Sequence, residues 1–366
     1  MRIGEKDYRV KPGLTIFLTI SIVSALAIFY LAGDKGSWRS LRHIRPEYAA
    51  LAALLMVAQW CFNAIRFKIL VNSLGSNVSF VTSLRAFMTN VFAAAITPSQ
   101  TGGGAMQVYV LSRAGVPIAR GFTGCLMGAL LTVFCLLSST IAILVFRPGL
   151  RAEFGQRLAG VLVAAVVVLG ILVILFLVSV FKTVLMKRMI GWVLLVLTGF
   201  LKTEKRLALT KRVLGGVDHY RECLTVFVGH KRRRLLLGLV FTTMAIATNA
   251  LIAPALLAGL NVDFDFLNVY VAQFILLFIA YFGPTPGASG IAEFSNYWIL
   301  SSLSVQADVL GIYTVLWRFF TSFIGVGVGG LIVLSLIARR RTAGPSPGKP
   351  QGGERPCNTS TAGDRR

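Results

Sequence analysis

The chain has 366 residues, of which 55% are hydrophobic and only 14% charged, against about a quarter charged in an ordinary soluble domain. Its formal net charge of +23 would point to nucleic acid in a soluble protein. Here the basic residues lie between apolar runs and in the tail, the pattern of the positive-inside rule and of attraction to anionic headgroups, so no nucleic-acid partner is expected.

The N-terminus, MRIGEKDYRVK, has the basic start of a signal peptide, but the apolar run from about Pro12 to Ala32 has no small-residue cleavage site and reads as a retained first span. The loop Asp34–Glu47 carries Lys35, Arg39, Arg42 and Arg45, and is placed outside by the rest of the topology. A second span is expected at Tyr48–Leu70, with Asn63, Arg66 and Lys68 near its inner end, where long basic side chains snorkel to the headgroups.

The apolar segment Phe80–Ile96 then runs into Thr97-Pro98-Ser99-Gln100-Thr101-Gly102-Gly103-Gly104, and a moderately apolar segment continues to Leu111, before Arg113 and Arg120. Proline removes a helix donor and three glycines favour an unwound chain, and such backbone is tolerated at membrane depth only against protein or a wet cavity. A re-entrant or broken helix entered from the cytoplasm is expected.

Gly121–Phe146, Leu158–Phe181, Leu235–Asn261, Phe266–Ala292 and Phe319–Ala338 contain no Asp, Glu, Lys or Arg, and about 20 such residues make a span. The segment Lys182–Arg234 holds thirteen Lys and Arg against Glu204, Asp218 and Glu222, which puts it in the cytoplasm and fixes the direction of the neighbouring spans. Within it, Met189–Phe200 reads as an interfacial helix, a short extra span being the alternative.

A second break, Gly283-Pro284-Thr285-Pro286-Gly287-Ala288-Ser289-Gly290, dips in from outside. Two interrupted helices entering from opposite faces match the inverted-repeat logic of secondary transporters. The expected fold is therefore an all-α polytopic membrane protein with about 7–8 spans plus the two Pro/Gly segments. Its membrane domain covers 1–338, as a first half at 12–181, a basic linker at 182–234 and a second half at 235–338, and residues 342–366 form a disordered cytoplasmic tail.

The candidate site residues are Arg85, Asn90, Ser99, Gln100, Thr101, Gly102, Gly103, Gly104, Glu293 and Arg318. Arg85 is positioned either to bind a phosphate or carboxylate headgroup, with Thr89 and Asn90 one turn along, or to snorkel to the inner interface. The three glycines offer backbone N–H groups as an anion nest, or simply permit close helix packing. Glu293, the only acid between Asp265 and Asp308, is either a proton or headgroup partner or the ion-pair mate of Arg318.

Cys61, Cys125, Cys135, Cys223 and Cys357 are spread singly, and His43, His219 and His230 lack metal-ligand spacing, so neither metal nor cofactor is expected. No nucleotide-binding lysine loop, metalloprotease histidine pair or Gly-x-Ser-x-Gly elbow is present.

The stretch from Ile96 through Gly104 to Tyr109-Val110-Leu111-Ser112-Arg113-Ala114-Gly115-Val116-Pro117 resembles the hallmark of the lysylphosphatidylglycerol synthase transmembrane-region family, the flippase-like integral membrane proteins. Arg66, Arg85 and Pro286-Gly287-Ala288-Ser289-Gly290-Ile291-Ala292-Glu293 reinforce the likeness. Where many relatives have a Glu after the paired glycine and an Arg three residues on, this sequence has Gly104 and Gln107, a difference that weakens the transfer of aminoacyl-phospholipid specificity to it.

The resemblance implies a membrane region that moves a modified phospholipid outward in a bacterial inner membrane. The soluble aminoacyl-transferase domain is not expected, because the residues after the last span are few and rich in Gly and Pro. The expected function is translocation of an anionic or lipid-linked headgroup, with both termini cytoplasmic. An intramembrane transferase, or a scaffold recruiting a cytoplasmic enzyme through Lys182–Arg234, remains the alternative.

Overall fold

A computed structural model describes residues 45–147 and 232–342, with Thr19, Val23, Gly160 and Val167 besides. The expected spans at 12–32 and 158–181, the interfacial segment 189–200, most of the basic linker and the tail beyond 342 lie outside the described residues. Among the described residues every regular element is helical.

The first half contains α1 (Pro46–Ser73), α2 (Phe80–Ile96), a single 3-10 turn (Pro98–Gln100), α3 (Thr101–Arg113) and α4 (Ile118–Phe146). The second contains α5 (Arg232–Gly259), α6 (Phe266–Tyr281), a 3-10 turn (Pro286–Ala288), α7 (Ile291–Ser302), α8 (Ala307–Arg318), a π-helical segment (Phe319–Phe323) and α9 (Ile324–Thr342). Among the described residues four helices are long and apolar enough to cross a membrane: α1, α4, α5 and the continuous Val309–Leu336 of α8 and α9. The last span is thus longer than the uncharged run that announced it, and takes Arg318 inside.

Local chemistry fixes the starts. Pro46 occupies the first turn of α1, where its missing N–H leaves no orphan. The Ser79 hydroxyl accepts the Thr82 N–H at 3.2 Å to open α2, and Asp265 accepts the N–H groups of Leu267 and Asn268 at 2.9 and 3.0 Å to open α6.

The two halves repeat element for element, with lengths of 28, 17, 13 and 29 residues and then 28, 16, 12 and 28. The leading helices α1 and α5 are the most extensively packed pair and run antiparallel: Arg45 donates to the Gly259 carbonyl at one end, and Arg234 to the Asn72 carbonyl at the other. The two leading helices therefore point in opposite directions, the arrangement that an inverted repeat produces.

Small residues bring the helices close. A Cβ on Gly124 would stand 2.7 Å from Val71 Cγ2, and one on Gly329 would strike the Met88 carbonyl, so α4 meets α1 and α9 meets α2 through glycine. One buried cluster, including Leu257, Leu276, Leu300 and Tyr313, fills the end where α5 finishes; another, with Phe67, Val71, Val110 and Leu111, fills the end where α5 begins. Outward-facing Leu54, Phe146, Leu236 and Leu331 are more than half exposed, as a lipid-facing surface requires.

Candidate functional site

The α2–α3 pair is an antiparallel hairpin. Asn90 Nδ2 donates to Gln107 Oε1 at 3.1 Å across it, and nearer the tip Gly102 sits against Thr97 and Ala93. The hairpin projects from the end of the molecule that holds Arg232–Arg234, and α6, the second turn and α7 enter from the opposite end. Their tips meet: Ser99 N–H donates to the Pro284 carbonyl at 3.2 Å and Gln100 Nε2 to the Ala280 carbonyl at 3.3 Å.

Both tips use the same local device. Thr97-Pro98 is followed by Ser99 and Gln100 at φ 50° and 57°, and Thr285-Pro286 by Gly287 and Ala288 at φ 58° and 53°. Left-handed backbone at Ser99, Gln100 and Ala288 is sterically unfavourable for residues with a Cβ, and persists where the surroundings over-determine it, as at functional sites.

Beneath the tips lies a cavity of about 480 Å³. Gln59, at the middle of α1, and Ala245 and Ile246, at the middle of α5, line it, so the cavity sits half-way along the two antiparallel helices. Its polar wall includes Asn63, Asn90, Gln107 and Asn249, together with the hydroxyls of Thr132 and Thr242. Among the described residues no Asp or Glu lines it.

Two arginines do. Arg318 is 3% exposed and doubly paired with Glu293, Nε to Oε1 and Nη2 to Oε2, each at 2.8 Å. It also donates to the carbonyls of Gly287 and Ala288 at 3.4 and 3.3 Å and to Ser322 Oγ at 3.1 Å, binding the second turn to the last span. Glu293 is completely buried, and its Oε2 accepts the Gly290 N–H at 2.7 Å, closing the first turn of α7. The buried pair is the geometry that excellent alignment and extra hydrogen bonds make tolerable.

Arg66 is differently placed. Its Nη1 donates to Thr132 Oγ1 at 2.7 Å and to Thr242 Oγ1 at 3.4 Å, and its Nε is buried with no partner. No carboxylate among the described residues lies within ion-pair distance of it. It stands about 10 Å from the middle of α1 at 1.5 Å per residue, two turns short of the helix end.

The structure gathers some of the sequence candidates and disperses others. Asn90, Ser99, Gln100, Gly104 and Arg318 line the cavity. Thr101 is exposed and donates only to its own turn at Pro98. Gly102 and Gly103 do not form an open nest: the Gly102 N–H is taken by Thr97 Oγ1 at 2.9 Å, and a Cβ at either position would press on Thr97 or Asn90. Both are closely packed, whereas a Cβ at Gly104 would meet nothing within 4 Å.

Arg85 is exposed and outside the cavity wall. It sits in the second turn of α2, and Asn90, turned about 140° from it, lines the cavity instead. Arg66, expected to snorkel to the headgroups, instead lines the cavity together with Arg318. The available signal was its depth: seven residues from the end of a 28-residue helix, on the same face as Gln59 and Asn63.

The sequence profile of the family described as the lysylphosphatidylglycerol synthase TM region matches residues 16–329. A UPF0104 membrane protein of Archaeoglobus fulgidus is 27% identical over 323 residues, covering 87% of this chain and 95% of that protein. With the profile matched over most of its length, the chain belongs to the lysylphosphatidylglycerol synthase transmembrane-region family.

Proposed function

We propose that this membrane protein carries an amphipathic lipid from one leaflet to the other, the polar headgroup passing through the cavity between the two tips while the acyl chains stay in the surrounding bilayer. The two hairpins are then re-entrant helices, and the end bearing Arg232–Arg234 faces the cytoplasm, as the positive-inside rule requires. The observation that carries the reading is the meeting of two inverted hairpins over a polar cavity at mid-length of the longest-packed helices.

The barrier to lipid crossing is the desolvation of a headgroup in hydrocarbon. Amides and hydroxyls along α1, α2, α4 and α5 replace part of its water, and no covalent step is needed. The family and the apolar helices support a lipid-related role in a membrane.

The test is reconstitution of the full chain in liposomes containing headgroup-labelled lipids, with arrival in the opposite leaflet followed by quencher accessibility. Accelerated exchange, abolished by Gly104→Trp in a protein that still folds, is the expected result. No acceleration across anionic, zwitterionic and lipid-linked headgroups, with folding verified, overturns it.

A further inference from the structure

We infer that the cavity is built to hold a headgroup with a single net negative charge, a phosphodiester in chemical class, and to disfavour one with a net positive charge. The inference deepens the translocation reading by naming the class of headgroup.

Charge balance carries it. Of the two arginines on the cavity wall, Arg318 is neutralised by a two-point ion pair with Glu293, while Arg66 is held only by two neutral hydroxyls. Those hydroxyls are themselves committed as donors, Thr132 to the Gly128 carbonyl at 3.0 Å and Thr242 to the Gly238 carbonyl at 2.6 Å. They orient the guanidinium without compensating its charge. The remaining polar wall groups among the described residues are neutral, which leaves one positive charge uncompensated by them.

A lone cation at this depth is unfavourable until an anion joins it. Guanidinium geometry suits the paired oxygens of a phosphate, and Nε of Arg66 is a donor still without an acceptor. One cation matches a monoanion. A dianion would need a second free charge, and an aminoacylated headgroup with extra ammonium groups would face Arg66 with no carboxylate among the described wall residues to receive it. Nearby Asn63, Asn90, Gln107 and Asn249 supply neutral donors and acceptors for whatever hydroxyls the diester bears.

The experiment measures binding to the full chain in neutral-detergent micelles, by native mass spectrometry and thermal shift, at low and moderate salt. The probes are phosphatidylglycerol, phosphatidylcholine, lysyl-phosphatidylglycerol and water-soluble glycerophosphoglycerol. Phosphatidylglycerol is expected to bind about tenfold or more tightly than the zwitterionic and lysylated lipids. That preference is expected to vanish in Arg66→Gln and persist in part in Arg66→Lys.

Equal or tighter binding of the lysylated lipid, or an unchanged preference in folded Arg66→Gln, overturns the inference. If Arg66→Gln fails to fold, the wild-type rank order decides alone. Glycerophosphoglycerol binding as tightly as the lipid would support the anion site and assign it to the diester without its chains; binding of the lipid alone would support it and assign it to the lipid. Leaflet exchange indifferent to headgroup charge would sink this inference and leave translocation standing. Charge-selective binding without exchange would do the reverse.

Discussion

The backbone N–H of Ser99 donates to the carbonyl of Pro284, joining residues 185 positions apart at the tips of two hairpins that come from opposite ends of the molecule. Each partner is backbone next to a helix break, where groups freed from helical pairing must find an acceptor or donor elsewhere. The two interruptions therefore satisfy one another, and loosening one exposes the other.

That coupling is testable at Gln100, whose side chain makes the companion bond to the Ala280 carbonyl. Gln100→Ala is expected to destabilise the fold by about 0.5–1.5 kcal/mol. Hydrogen exchange should quicken at the Ser99 amide and in the second turn around residues 283–289, while the α4 core amides stay protected. Unchanged exchange in the second turn would show the tips to be independent.

Breaking the Glu293–Arg318 pair leaves a buried charge. Glu293→Gln or Arg318→Gln alone is expected to lower stability by about 3–5 kcal/mol, and the double variant by clearly less than the sum. Equilibrium unfolding of all four proteins in the same lipid-detergent mixture measures the coupling directly. Additive losses would mean that the two side chains act separately.

The glycines of α3 divide by role. Gly102→Ala brings a Cβ to 2.6 Å from Thr97 Cγ2 and is expected to lose about 1–3 kcal/mol, whereas Gly104→Ala meets nothing within 4 Å and should leave the unfolding midpoint nearly unchanged. Thermal melts of the two variants side by side settle the point.

The same contrast holds in α9. Gly329→Ala pushes into the Met88 carbonyl and Phe92, and should separate α9 from α2, with a loss of about 1–3 kcal/mol; Gly327→Ala faces open space and serves as the control. A distance measurement between spin labels on the exposed faces of the two helices would register the displacement independently of stability.

The amino-acid sequence by itself determined the helical membrane class, the boundaries of α1, α2, α4 and α5 to within about three residues, and the position of both breaks. Uncharged runs of span length, and proline beside glycine, act locally and need no knowledge of neighbours. The family followed from the same local stretches.

Only the tertiary structure decided which charges face inward. Arg85 and Arg66 both lie on apolar helices near the same end, but rotation about the helix axis and the neighbours on each side send one to the surface and the other to the cavity. Glu293 and Arg318 were legible as potential partners; their burial in one two-point pair, and the tie from Arg318 to the second turn, depend on how α7 packs on α8. Depth and rotation in a bundle are set by non-local packing, because the hydrophobic pattern of a lipid-embedded helix marks its length far better than its inward face.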